Sequence, residues 1–203
     1  MREFFMAGGR RLSYVDFGGP GAPLLALHGH YNEASAFAPL AEALAPRWRV
    51  IALDQRGHGE SDRGESYDRD DYVDDVAVWH RHLGLGAVAV LGHSLGGVNA
   101  YQYAARHADR VSALIVEDIG AVVDSDWSFT LRLPRQTPSR QELVSALGPV
   151  AVYLECCFRR AGDCWGVLLL CRGHGGVAEG TERRALAGLG SGGLPHPADP
   201  GNQ

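Results

Sequence analysis

The apolar run Ala87-Val88-Ala89-Val90-Leu91 passes directly into Gly92-His93-Ser94-Leu95-Gly96-Gly97. A buried strand that meets Gly-x-Ser-x-Gly and continues into helically spaced apolar residues can belong to few folds. The chain has to reverse from strand to helix within one or two residues. So sharp a turn forces the serine into a strained backbone conformation. Gly92 and Gly96, two positions to either side, remove side chains that would strike the adjoining strand and helix. The expected helix, Leu95 to His107, aims its first N–H groups at the serine oxygen. The plainer alternative is an ordinary glycine-rich strand-to-helix turn; the strand before and the helical pattern after favour the elbow.

Periodicity around this turn predicts the architecture. Residues 2–6 and 11–17 form two strands about Gly8-Gly9, a hairpin signal. Further strands are expected at 24–28, 49–54, 87–92 and Ser112–Asp118. Helices are expected at Ala34–Leu44, closed by Pro46, and at Asp71–Leu83, whose first turns are rich in aspartate. From residue 23 the order is β-α-β-α-β-α-β. That alternation means an α/β fold: a mostly parallel sheet with flanking helices. Beyond Gly120 the pattern changes. Ser139–Leu147 is a short helix with Ser139 as N-cap and Glu142 three residues on, a capping box. Ala151–Arg160 is expected as another helix.

Two more segments join the elbow. Leu24-Leu25-Ala26-Leu27-His28-Gly29-His30 is a buried strand ending in His-Gly. Arg49-Val50-Ile51-Ala52-Leu53-Asp54 is another, followed by Gln55-Arg56-Gly57-His58-Gly59-Glu60-Ser61-Asp62. In this order the three segments resemble the α/β-hydrolase superfamily, in the branch that includes small esterases, C–C hydrolases and proline iminopeptidases. The resemblance covers about residues 2 to 165. It implies a core over 1–119, the start of a helical lid over 120–165, and a sheet that is incomplete at the C-terminus. It also implies a small-molecule acyl substrate, with no cofactor and no metal.

Acyl transfer from an elbow serine needs a nucleophile, a base, an acid that orients the base, and an oxyanion hole. Ser94 is the nucleophile. The backbone N–H of Leu95 is one oxyanion donor, and the resemblance makes the N–H of His30 the second. His28, Gly29, Gly92 and Gly96 shape the loops, with the His28 ring tying down its own turn rather than reacting. Asp118 ends the strand after the elbow helix. Some members of the superfamily use an aspartate there as the acid, whereas others place it after the next strand; Asp124 is a second candidate. The base should follow the acid in the chain. Only His174 and His196 do so, both in a glycine-rich stretch without strands. The chain as written is therefore expected to lack a positioned base, a loss on the order of a million-fold in turnover. The turn 54–59 lacks the Gly-Lys-Ser/Thr of a phosphate loop. It is expected to shape a tight loop, with Arg56 and Asp62 in local ion pairs.

Composition narrows the partners. The 203 residues carry a formal charge of −5, with pI near 6.0. That balance argues against nucleic acid or an anionic membrane as the main partner. Met1–Met6 is too short, and too polar afterwards, for a signal peptide, and no apolar run has transmembrane length. A soluble, cytoplasmic protein of open oligomeric state is expected. Cys156, Cys157, Cys164 and Cys171 fit no zinc spacing, so a structural or incidental role is expected. Residues 166–203 are rich in glycine and proline and are expected to be disordered or out of frame. With chosen GC-rich codons, residues 166–203 read one nucleotide later can give a product that closes on a strand-like Pro-Ile-Leu-Leu-Ile-Arg-Gly-Thr. A frameshift near residue 165 is compatible with that product.

Overall fold

The computed structural model describes residues 1–120, 133–134 and 136–167. Asp124, Cys171, His174, His196 and the tail expectation from residue 168 onward lie outside the described residues. Six strands form one sheet: β1 (Arg2–Ala7), β2 (Arg10–Asp16), β3 (Ala22–Leu27), β4 (Trp48–Asp54), β5 (Val88–His93) and β6 (Val111–Glu117). Their order across the sheet is β1-β2-β4-β3-β5-β6. β3 through β6 run parallel, while β1 and β2 add an antiparallel hairpin at one edge. Gly8 and Gly9 turn that hairpin, both at positive φ.

Strand alternation divides the core into two layers. Leu25, Leu27, Ile51, Leu53, Val88 and Val90 face α2 (Arg69–His82) and α3 (Leu95–Arg106), where Val73, Val76, Trp79, Ala100 and Tyr103 pack on them. Leu24, Ala26, Val50, Ala52, Ala89 and Leu91 face the other way, onto Ala34, Phe37 and Ala41. The segment expected as one helix over Ala34–Leu44 is a 3₁₀ turn (Ala34–Phe37) leading into α1 (Ala38–Leu44), with a proline in its first turn. Both faces of the central strands are thus covered, as parallel strands require. β6 differs. Among the described residues it pairs only with β5, and Leu114, Ile115 and Val116 are exposed.

A smaller unit sits above the sheet. α4 (Arg140–Leu147) is capped by Ser139, whose Oγ accepts from the Glu142 N–H at 3.1 Å and donates to Glu142 Oε1 at 2.9 Å, so the two expected capping residues meet, with the carboxylate on the hydroxyl. The helix expected over Ala151–Arg160 stops early. α5 covers only Ala151–Leu154, a 3₁₀ turn follows over Glu155–Cys157, and Phe158–Ala161 is a strand, β7. β7 pairs antiparallel with β8 (Cys164–Val167) across the turn at Gly162, which has φ +61°. The reason lies in Phe158 and Val167, which both bury against Leu143, Leu147 and Leu154. A hairpin places them on one face, and a continuing helix would carry Phe158 away. Among the described residues, no helix is long and apolar enough to cross a membrane.

Candidate active site

Ser94 follows β5 and caps α3 with φ 51° and ψ −117°, outside the ordinary regions for a side-chain-bearing residue. Two close approaches hold this strain in place. A Cβ at Gly92 would lie 2.7 Å from Gly97 Cα and overlap the Gly96 carbonyl; one at Gly96 would lie 2.7 Å from the His28 oxygen and overlap the Leu27 carbonyl. Only glycine fits at either position. The Ser94 N–H donates to Glu117 O at 2.9 Å, fastening the elbow to the end of β6. The first bond of the helical ladder runs from Val98 N–H to Ser94 O at 3.1 Å. The N–H groups of Leu95, Gly96 and Gly97 therefore precede the ladder at the serine end of α3.

Ser94 borders a cleft of about 540 Å³ lined by Gly29, His30, Tyr31 and Asn32 after β3, and by His93, Glu117 and Asp118 at the ends of β5 and β6. Leu133, Val150, Tyr153 and Leu154 close its far side. The structure thus brings Ser94, Asp118, His30 and Gly29 to one cleft, with Leu95 behind the serine. A Cβ on Gly29 would lie 2.8 Å from His93 Nδ1 and 3.3 Å from Ser94 Cβ, so the loop after β3 runs directly along the elbow. Asp118 has φ 56°, and its carboxylate, 80% exposed, lies 3.7 Å from His93 Nε2. Among the described residues no histidine follows Asp118 in the chain.

His28 and His58 are buried beneath the loop after β3, and His30, within it, is half-buried. His28 Nε2 accepts from the Gln55 N–H at 3.1 Å, which leaves the proton on Nδ1 to be donated to Gly29 O at 2.7 Å. His58 donates from Nδ1 to Arg56 O at 3.0 Å, and its Nε2 takes the Nδ1–H of His30 at 3.2 Å. Burial holds His28 and His30 well below the usual histidine range and lowers His58 to about 4. Gln55 donates to the His28 carbonyl at 2.6 Å and accepts from Asn99 at 2.5 Å; Asn99 in turn accepts from Arg69. This buried chain of bonds ties α2 and α3 to the loop after β3.

Sequence reasoning missed several of these residues. Arg56 is not paired locally. Its Nε donates to Asp75 Oδ2 at 2.7 Å and its Nη1 lies 3.2 Å from Asp71, both on α2, while Asp62 accepts from the Arg11 N–H at 2.8 Å. Asn32 and Tyr153 are joined by an Asn32 Nδ2–H bond to the Tyr153 carbonyl at 3.1 Å, across 121 residues. Arg159 donates to both oxygens of the buried Glu33 at 2.9 Å. No local pattern points to either contact.

The family model for the alpha/beta hydrolase fold matches residues 22–141. The chain is 38% identical over 109 residues to the 2-(acetamidomethylene)succinate hydrolase of Mesorhizobium japonicum, covering 53% of this chain and 39% of that protein. It is 38% identical over 116 residues to the pimeloyl-[acyl-carrier protein] methyl ester esterase of Chromobacterium violaceum, covering 56% and 44%. Among solved structures, that of an E-2-(acetamidomethylene)succinate hydrolase superposes with a TM-score of 0.70 at 24% identity, over 95% of this chain and 74% of the other. That likeness is one of fold. The matched stretch spans 39–44% of the length of the curated relatives. The chain belongs to the alpha/beta hydrolase fold family.

Proposed function

We propose that this member of the alpha/beta hydrolase fold family is a serine hydrolase acting on a carboxylic ester or similar small acyl substrate through an acyl-enzyme on Ser94. The observation that carries the reading is the strained Ser94 backbone at the cleft. Strain of this kind costs on the order of 1–3 kcal/mol and persists where the surroundings over-determine it. In the proposed reaction the serine Oγ attacks the acyl carbonyl, and the N–H groups of Leu95 and His30 receive the developing oxyanion. Each such donor is worth about 2.7–4 kcal/mol in the transition state. Asp118 is the proposed acid. The lining favours a neutral acyl group: Leu133, Val150 and Leu154 offer apolar contact, and the charged lining residues, Glu117 and Asp118, repel an anion.

A second reading, a hydrolase-like chain that turns over poorly or not at all, is favoured by the positions of the histidines. In this sequence the histidines after Asp118 are His174 and His196, and without a base to take its proton Ser94 is a weak nucleophile. Labelling with a fluorophosphonate tests the first reading, followed by peptide mapping and turnover of a short-chain nitrophenyl ester. Label on Ser94 that is lost in Ser94→Ala supports it, and label elsewhere overturns it. Turnover that falls in His174→Ala or His196→Ala overturns the second reading. The shifted-frame reading of 166–203 is a separate proposal. It rests on the family-like product of that frame, and an uninterrupted gene sequence across the codon for Trp165 from an independent template overturns it.

A further inference from the structure

Cys156 and Cys157 are adjacent in sequence and have their sulfurs on the same side. The two Sγ atoms are 3.5 Å apart, too far for a disulfide at about 2.05 Å. Both sulfurs lie within hydrogen-bonding distance of one oxygen, Asn32 Oδ1, at 3.2 and 3.4 Å. Cys157 is buried, whereas Cys156 is partly exposed. Neighbouring side chains of an extended strand diverge to opposite faces. Here the 3₁₀ turn over Glu155–Cys157 brings the two sulfurs together.

We propose that Cys156 and Cys157 form a dithiol site for a trivalent arsenical, one arsenic centre bonded to both sulfurs. The separation suits a single centre held by two bonds of the length thiolates make to a soft centre, about 2.3 Å as for zinc. Two features select the class. A linear two-coordinate ion would need the sulfurs on opposite sides at roughly twice that bond length, and 3.5 Å is too close. A tetrahedral ion needs two more ligands, and among the described residues no group of three or more His, Cys, Asp or Glu is placed to hold a metal. An organoarsenic(III) centre brings its own carbon as third substituent and needs only the two sulfurs.

The chemistry balances without a redox step. With phenylarsine oxide, Cys156 attacks arsenic first, then Cys157 closes the ring. Two As–S bonds form, and both thiol protons leave with the oxygen as one water. The hydrogen bond from Cys157 lowers the Cys156 thiol below its usual range, while that bond and burial push the Cys157 thiol up, so Cys156 attacks first and Cys157 gives up its proton only as the ring closes. Once bonded to arsenic, neither sulfur can donate to Asn32. Asn32 lines the cleft and holds the Tyr153 carbonyl, so the site adjoins the cleft wall.

The test uses the full chain with phenylarsine oxide, read by intact mass. The expected product carries one phenylarsenic unit less two hydrogens, survives excess 2-mercaptoethanol and is released by 2,3-dimercaptopropanol. Cys156→Ser and Cys157→Ser each abolish the monothiol-resistant adduct, while Cys164→Ser and Cys171→Ser keep it. Because a cysteine variant can misfold, the unmutated protein is also alkylated with iodoacetamide after arsenical treatment and mapped. Protection of Cys156 and Cys157 with alkylation of Cys164 supports the site. Absence of a resistant adduct, its retention in either the Cys156 or Cys157 variant, or protection of a different pair overturns it.

Discussion

Gly96 lies directly against the backbone carbonyl of Leu27, so that the first turn of α3 rests on the end of β3 with no room for a side chain between them. The contact couples the elbow to the neighbouring strand. Gly96→Ala is expected to destabilise the fold by at least the 1–3 kcal/mol typical of overpacking, since backbone atoms cannot step aside as a side chain can. Gly86→Ala is the control. It has open space and no positive φ, and should change stability by under about 1 kcal/mol. Urea unfolding of both variants measures the difference; equal midpoints would contradict the close approach.

The Arg56–Asp75 pair has almost no solvent on either side, the two side chains being 1% and 4% exposed. Removing one partner leaves the other a second counter-charge, since Arg10 Nη2 lies 3.1 Å from Asp75 Oδ1 and Asp71 lies 3.2 Å from Arg56 Nη1, so the cost falls short of the roughly 3–5 kcal/mol of an isolated buried pair. Asp75→Asn and Arg56→Ala should each lower the urea midpoint, with a loss of stability of about 1.5–3 kcal/mol. The double change should cost less than the sum of the two, and strict additivity in the cycle would show the pair to be uncoupled.

Acid should weaken the fold through the histidines under the loop after β3. Their folded pKa values lie below the unfolded value near 6.5, and His58 is at about 4. A depressed histidine favours the neutral native state. Its contribution is fully present above pH 6.5 and is lost as pH falls through the folded value. For His58 the loss is on the order of 3 kcal/mol between pH 6.5 and 4. Urea unfolding at pH 7, 6 and 5 should show falling stability, with a shallower slope in His58→Gln. An unchanged slope in that variant removes His58 as the cause.

Arg159 Nη2, shared between both oxygens of Glu33, fastens β7 to the loop after β3. Arg159→Gln should free the hairpin without unfolding the sheet. Amide exchange over Phe158–Val167 should quicken while β3 and β5 keep their protection. Equal exchange in both proteins would assign the hairpin's order to Phe158 and Val167 alone.

Local sequence determined the strands of the main sheet, the turn at Ser94 and the start of α4. Alternation in Leu24–Leu27 and Val50–Leu53 sorts neighbouring residues onto two faces, and both faces are covered in the fold. Gly92 and Gly96 mark where strand and helix collide, and Ser139 with Glu142 marks the start of α4. Each pattern spans a few residues and depends on backbone sterics or a single hydrogen bond, so it is legible without the rest of the chain. Tertiary structure decided what sequence separation hides. The order β3-β5-β6 brings the ends of these three strands together, and so gathers His30, Ser94 and Asp118 at one cleft. Packing on Leu143 and Leu147 turned an expected helix at Phe158 into a hairpin. Arg56 found its carboxylates on α2 because burial of a guanidinium demands partners wherever the fold supplies them. Asn32 met Tyr153, Cys156 and Cys157 across more than a hundred residues. Such contacts depend on where whole elements pack, and no periodicity along the chain encodes that.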